Sequence, residues 1–164
     1  MVRRLGRPLH IRPARRGEAS TLGALCVRSK AHWGYDAEFM RLSWRSLQIE
    51  PAAIGEGRVF VAADQDDKPL GVVDCAFLGE DVDLMHLFVE PGALGRGIGR
   101  VLFATAIDWT RAQGRRTLLI ASDPNAVGFY RRLGAVDAGW IPSEAVPGRM
   151  LPLLKYAVDL RIAV

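Results

Sequence analysis

Residues 84–102 read LMHLFVEPGALGRGIGRVL, and this stretch decides the fold of the chain. The apolar run that ends at Val89 is typical of a buried strand. After a proline turn, glycines 95, 97 and 99 open a segment whose apolar residues recur at helical spacing as far as Trp109, and Gly114 ends it. This order predicts an anion-binding site at the helix N-terminus, where backbone N–H groups are free.

The glycine turn does not match the two commonest phosphate-binding motifs. A P-loop requires Gly-Lys-Ser/Thr, whereas this chain has Gly99-Arg100-Val101. A dinucleotide fingerprint requires a third glycine, but Arg100 or Leu102 stands there, depending on where the count begins. The turn by itself therefore identifies no particular ligand.

Periodicity on both sides of the turn predicts a single α/β (α+β) domain over residues 1–164, with a flexible start at 1–8. Its central sheet is mixed, mostly antiparallel and about six or seven strands wide, and about four helices flank it. The predicted strands are Leu9–Arg12, Val59–Ala63, Pro69–Leu78, Val82–Val89, Thr117–Ala121, Ala135–Ile141 and Pro152–Leu160. The predicted helices are Ala14–Ser29, Asp36–Leu47, the segment after the glycine turn, and Asn125–Leu133.

Composition excludes several classes of protein. Of 164 residues, 49% are hydrophobic and 24% are charged, which is typical of a globular domain. No apolar run approaches the ~20 residues of a membrane helix, so we expect no membrane association. The only cysteines are Cys26 and Cys75, neither with metal-ligand spacing, so we expect no disulfide scaffold and no metal site.

The net charge of +4 is unevenly distributed. Residues 1–34 carry eight basic side chains and one acidic one, and residues 95–132 carry seven arginines and two acids. Arginines in that second segment are suited to phosphate, or they are simply solvated helix residues. A nucleic-acid-binding protein is a third hypothesis, but no recognition motif supports it, so we expect no nucleic acid partner. Because no signal-peptide core follows the basic start, we expect a cytoplasmic protein.

A second motif lies about 30 residues downstream of the glycine turn. Residues 122–135 read SDPNAVGFYRRLGA, and together with residues 94–99 they resemble the GNAT superfamily of acyl-CoA-dependent N-acetyltransferases. The predicted order of elements is similar to that superfamily over nearly the whole chain. Two departures are Leu94, where a Gln or Arg is usual, and Ala135, where an aromatic residue is frequent.

The resemblance implies an enzyme that transfers an acetyl group from acetyl-CoA to a primary amine by direct attack in a ternary complex. It implies that the sheet splays between its fourth and fifth strands and that the cofactor lies in this opening. Tyr130 is the implied proton donor to the departing thiolate. The implied cofactor-binding residues are Leu87, Phe88, Val89, Gly95, Arg96, Gly97, Ile98, Gly99, Arg100, Asn125, Phe129, Tyr130 and Arg132.

The general base is open between two residues of the strand before the glycine turn. Asp83 stands where the family often has a carboxylate, and His86 has the better unperturbed pKa for accepting a proton. A water chain is the remaining alternative. Because Leu84, Leu87 and Val89 cannot share one face by strict alternation, the pattern predicts a bulge near Met85 and His86.

The acceptor side is predicted at two segments. Trp33 and Tyr35 lie between the first two helices, where they border the acceptor pocket or seal the helices as a hydrophobic plug. The loop Ser143–Arg149 closes the other side, and Glu144 is a candidate partner for a cationic amine. The acceptor is a small-molecule or protein amine, and a homodimer is a possible assembly. The competing hypothesis is a sensor domain that binds coenzyme A without turnover.

Overall fold

The computed structural model describes residues 8–161, so the predicted flexible start lies outside the described range apart from Pro8. The strands are β1 His10–Pro13, β2 Val59–Ala63, β3 Pro69–Leu78, β4 Asp81–Val89, β5 Thr117–Ala121, β6 Val136–Pro142 and β7 Met150–Ala157. The α-helices are α1 Ala19–Ala31, α2 Ala37–Ser43, α3 Pro51–Gly55, α4 Ile98–Ala112 and α5 Val127–Arg132. Short 3₁₀ turns lie at Arg45–Leu47, Pro91–Ala93 and Pro124–Ala126.

The strands form one mixed sheet in the order β1-β2-β3-β4-β5-β7-β6, in which only β4 and β5 run parallel. The predicted fold class is therefore confirmed. The helices differ from the prediction by a few residues at most of their ends, and two differences are larger. Helix α1 begins at Ala19 because Ala14 still donates a hydrogen bond to β2 and Gly17 then turns the chain. Helix α3 was not predicted, since five residues are too few to show a helical period.

The core lies on both faces of the sheet. On one face, Leu22 and Leu25 of α1 pack with Val61 and Val72. On the other face, Phe103 of α4 belongs to a second cluster that includes Val73, Leu118 and Tyr130. Successive residues of one strand therefore serve opposite faces, as the alternation along a strand requires.

The parallel strands β4 and β5 are paired over only two residues each. Val82 pairs with Leu118 and Asp83 pairs with Leu119, and no further pairs follow between these two strands. Strand β4 continues to Val89 beside β3, and β5 stays paired with β7 along its whole length. The two strands therefore diverge after Asp83, which confirms the predicted splay between the fourth and fifth strands.

The predicted bulge in β4 is also confirmed. Leu84 pairs with Cys75 and His86 pairs with Asp74, so Met85 has no partner on β3. The extra residue shifts the alternation by one position. As a result, Leu84, Leu87 and Val89 all pack in the same hydrophobic cluster, although their spacing is irregular.

Candidate active site

The gap between β4 and β5 opens into a cavity of about 860 Å³. Every predicted cofactor-binding residue except the exposed Arg96 lines this cavity, as do Trp33, Asp83 and His86. The predicted acceptor residue Tyr35 does not line it directly, but its hydroxyl bonds to Asp123, Asn125 and Arg149, which do. Residues far apart in the sequence are therefore brought together as the two motifs imply.

The glycine turn presents free backbone donors to the cavity. Gly97 is the N-cap of α4 with φ +78°, and no side chain caps this end of the helix. Gly95 has the same positive φ. The first N–H groups of an α-helix have no partner inside the helix, and the helix dipole adds positive potential there. The turn thus forms a concave site suited to a pyrophosphate group.

Tyr130 contributes a buried ring and an available hydroxyl. Its ring packs edge-on against Phe103 at 5.4 Å and against Phe129 at 5.0 Å between centroids. Burial, and then the negative charge of Asp123, raise the pKa of Tyr130 above its ordinary value. The phenol is therefore protonated at neutral pH, and it lines the cavity as a hydrogen-bond donor.

Asp83 lies at the apex of the gap, at the last paired position of β4 with β5. Its carboxylate lines the cavity. Burial, and then the negative charge of Glu144, raise the pKa of Asp83, while His86 opposes the shift. A raised pKa brings a carboxylate closer to the working range of a general base.

His86 is held differently. Its Nδ1 lies 3.1 Å from Asp74 Oδ2, and its Nε2 lies 2.8 Å from the carbonyl oxygen of Ser46. Both partners are acceptors, so each bond needs a proton on the ring nitrogen, or Asp74 must itself carry one. In either arrangement no ring lone pair is free for an incoming amine. The geometry thus favours Asp83 over His86 as the base. The hydrogen bond from His86 to Ser46 instead connects the Ser46 segment to β4.

The sequence analysis placed Tyr35 and the Ser143–Arg149 loop beside the cleft, but it did not predict the charged cluster that they form at the cavity wall. Lys30 forms an ion pair with Asp123, and Arg149 lies over the ring of Phe39 at 4.7 Å. The hydroxyl of Tyr35 donates to Asp123 at 2.7 Å and accepts from Arg149 at 3.1 Å. These residues come from α1, the α1–α2 connection, α2, the turn after β5 and the β6–β7 loop. No periodicity or motif links them, so only the folded chain reveals the cluster.

Residues 8–161 contain neither a metal-binding cluster nor a membrane-spanning helix. No group of three or more His, Cys, Asp or Glu residues is placed to hold a metal ion. No helix in this part of the chain has both the length and the apolar character to cross a membrane.

The sequence and the fold were compared with known proteins. Residues 26–135 match the acetyltransferase (GNAT) family. The peptidyl-lysine N-acetyltransferase YjaB of Salmonella typhimurium is 32% identical over 150 residues, which cover 89% of this chain and 95% of that protein. An uncharacterized N-acetyltransferase of Methanocaldococcus jannaschii is 28% identical over 127 residues, covering 68% of this chain and 56% of that protein. PaiA N-acetyltransferase from Thermoplasma acidophilum, solved with coenzyme A, superimposes with a TM-score of 0.72 at 15% identity, covering 92% and 99% of the two chains.

A splayed parallel strand pair beside a helix N-terminus with free amides forms a cleft suited to a ligand that carries phosphate groups. The family match makes this specific: the chain belongs to the GNAT family of acetyltransferases. It is an acetyl-CoA-dependent N-acetyltransferase, and coenzyme A is its co-substrate.

Proposed function

We propose that the acceptor is a primary amine and that it attacks acetyl-CoA directly while both are bound in the cavity. The observation that supports this is the divergence of β4 and β5 after Asp83, with Tyr130 lining the same cavity. A candidate base and a candidate acid thus face one space that also reaches the glycine turn. Direct transfer needs such an arrangement and requires no nucleophile on the enzyme.

The cofactor is proposed to lie along the divergent part of β4. Backbone groups of Leu87 to Val89 have no partner on β5 and are assigned to the pantetheine amides. The amides of Gly97 to Arg100 are assigned to the pyrophosphate, with Arg132 near the ribose phosphate and Phe129 packed beside the pantetheine. Arg96 is exposed and does not line the cavity, so its expected contact has no support.

Asn125 is proposed to accept a hydrogen bond from the pantetheine. Its side-chain nitrogen lies 2.9 Å from Asp123 Oδ1 and 3.2 Å from the Tyr35 hydroxyl. Because a carboxylate only accepts hydrogen bonds, the amide nitrogen must face Asp123. The amide oxygen is then left to accept from an N–H group of the cofactor, and Asp123 acts as the residue that fixes this orientation.

The chemical steps follow from the two proposed groups. Asp83 takes a proton from the incoming ammonium, and the amine nitrogen forms a bond to the thioester carbonyl carbon. The tetrahedral intermediate then collapses, the carbon–sulfur bond breaks, and the thiolate leaves with a proton from Tyr130. The nitrogen, which became positively charged on attack, loses its second proton to give the neutral amide, and this proton restores the Tyr130 phenol directly or through solvent. Since burial raises the pKa of Tyr130, the phenol acts first as a hydrogen-bond donor that stabilises the charge developing on sulfur.

The acceptor itself is proposed only as a class. The YjaB relative is named for acetylation of peptidyl lysine. Two acidic residues that line this cavity, Asp83 and Glu144, are suited to any cationic amine. A small-molecule amine and a protein lysine are both consistent with this class. The alternative, a coenzyme A sensor without turnover, gains no support from a site that holds both a candidate base and a candidate acid.

The experiment is thiol release from acetyl-CoA in the presence of a panel of amines, with the product identified by its mass. The panel contains polyamines, amino acids, aminoglycosides and lysine peptides. We expect an acetylated product with at least one class, and release that depends on the amine. Binding of acetyl-CoA with no product from any amine would favour the sensor.

Three further expectations stay predictions. A cytoplasmic location is supported by the two buried free thiols, Cys26 and Cys75, since unpaired cysteines are typical of reducing compartments. Absence of nucleic acid binding is checked by a salt-dependent DNA titration. A homodimer is checked by sedimentation, with attention to β6, an edge strand whose residues are all exposed and include Trp140.

A further inference from the structure

The charged cluster at the cavity wall has an excess of positive charge. We call Lys30, Tyr35, Phe39, Asp123 and Arg149 the basic corner. Tyr35 and Phe39 are stacked, with ring centroids 3.9 Å apart and an interplanar angle of 11°. The ammonium group of Lys30 lies 5.2 Å from the Tyr35 centroid, and the guanidinium of Arg149 lies 4.7 Å from that of Phe39. The two cations are therefore held in place on an aromatic platform.

Only one carboxylate in the corner faces these two cations. Asp123 Oδ2 accepts from Lys30 and from the Tyr35 hydroxyl, and its Oδ1 accepts from Asn125. Arg149 lies 3.6 Å from Oδ2, too far for a hydrogen bond. Burial, and then hydrogen bonding to Asp123, raise the pKa of Tyr35, so its hydroxyl adds no negative charge. Arg149 therefore forms an ion pair with Asp123 without a hydrogen bond to it, and because the single carboxylate of Asp123 serves both cations, the corner keeps a net positive charge.

Arg149 also keeps unused hydrogen-bond donors. Among residues 8–161, its single side-chain hydrogen bond runs from Nη2 to Tyr35. No nitrogen of its guanidinium is both buried and unpaired, so the remaining N–H groups reach open space, and the residue lines the cavity. Among small anions, carboxylate and phosphate fit the paired hydrogen-bond donors of a guanidinium best.

Two acidic residues outside the corner, Asp83 and Glu144, line the same cavity. Asp83 and Glu144 act on each other, as the effect of Glu144 on the pKa of Asp83 indicates. The cavity therefore offers two acidic side chains outside the corner and, within the corner, two cations that share one carboxylate. Both kinds of charge in one cavity are complementary to a molecule with an ammonium group at one end and an anionic group at the other.

We infer that the basic corner binds a carboxylate of the acceptor, so that the acceptor is a small amine that also carries a carboxylate, as amino acids do. The inference rests on the proposed acetylation of an amine. Arg149 holds the carboxylate, Lys30 adds positive charge, and the amine reaches Asp83. The side chains of Lys30 and Arg149 are only 12% and 19% exposed, which favours a small molecule over an acidic side chain of a peptide.

The test compares acceptors in matched pairs that differ only by the carboxylate. Histidine is paired with histamine, tyrosine with tyramine, and glycine, β-alanine, γ-aminobutyrate and ε-aminocaproate with the alkylamines of equal length. We expect kcat/KM to be about tenfold or more higher for the acid in at least one pair, mainly through KM. The length of the best ω-amino acid then measures the span from Arg149 to the reacting carbon.

The variants Arg149→Gln and Arg149→Lys test the assigned residue. We expect Arg149→Gln to reduce the acid-to-amine ratio to less than about threefold, and Arg149→Lys to retain part of it, because lysine keeps the charge without the planar fork. Arg41→Gln is the matched control, since Arg41 is exposed on α2 and pairs with Glu38, and it should keep the wild-type ratio. Thermal unfolding verifies that each variant is folded, and Arg149→Lys serves if the glutamine variant is not.

Three results overturn the inference while leaving amine acetylation intact. The first is an acid-to-amine ratio below about twofold in every pair. The second is a ratio that Arg149→Gln and Arg149→Lys leave unchanged. The third is a lysine peptide that outperforms every amino acid. If no acceptor of any kind is acetylated, the proposed function fails and the inference fails with it.

Discussion

Replacing Tyr130 by phenylalanine removes one hydroxyl and leaves the ring. The contacts with Phe103 at 5.4 Å and Phe129 at 5.0 Å are made by the ring, so they persist. The pKa of Tyr130 responds to burial and to the charge of Asp123, with no hydrogen bond among its causes. We therefore expect the free energy of unfolding to change by less than about 1 kcal/mol.

Turnover should respond very differently from stability. Proton donation by a positioned side chain contributes about 10²–10⁴-fold, or roughly 2.7–5.5 kcal/mol of transition-state stabilisation. We expect kcat of Tyr130→Phe to fall by that factor, with the dissociation constant of acetyl-CoA within about twofold of wild type. Thiol release measures the first quantity and calorimetric titration the second.

The matched control is Tyr156→Phe. Tyr156 packs on the same ring, Phe103, at 5.6 Å, but it does not line the cavity. Its loss of a hydroxyl should leave kcat unchanged. If Tyr130→Phe keeps kcat within about twofold of wild type, water supplies the proton and the assignment of Tyr130 is wrong.

Three other predictions concern the cofactor site, the base and the buried histidine. Gly97→Val should weaken acetyl-CoA binding by about 100-fold or more, because a branched side chain at φ +78° is strained and blocks the pyrophosphate. Arg100 is exposed, so Arg100→Ala should weaken binding only a few-fold. Equal losses of affinity in a titration would contradict this prediction. The value of kcat/KM should rise with pH as Asp83 ionises, and Asp83→Asn should abolish this rising limb of the pH profile. Glu144→Gln should move the limb to lower pH, because it removes a negative charge that raises the pKa of Asp83. A shift of the limb to higher pH would exclude this coupling. His86→Gln should lower the free energy of unfolding in urea by about 1–3 kcal/mol, because the buried Asp74 loses its hydrogen bond to the imidazole. The same variant should keep the pH limb, and loss of the limb in a folded variant would make His86 the base.

Local sequence patterns predicted the parts of the site that depend on local structure. The glycine turn requires positive φ at Gly95 and Gly97, and these residues adopt it. The broken alternation of Leu84 and Leu87 requires an extra residue, and Met85 is that residue. Such features follow from the allowed backbone conformations of a few neighbouring residues, so a single sequence is sufficient to predict them.

Features that depend on distant contacts were not predictable in the same way. The sequence left both Asp83 and His86 open as bases, with a water chain as the third alternative. The difference between them arises because the partners of His86 come from 12 and 40 residues earlier in the chain, at Asp74 and Ser46. The basic corner likewise joins Lys30 and Arg149 across most of the chain. Neither the periodicity of an element nor a motif contains information on such pairings.

Direct transfer between two bound substrates is tested most directly by initial velocities measured over a grid of acetyl-CoA and amine concentrations. The proposed mechanism predicts double-reciprocal lines that intersect, and an enzyme whose mass is unchanged after incubation with acetyl-CoA alone. Parallel lines, together with an acetylated enzyme that passes its acetyl group to the amine, would contradict it.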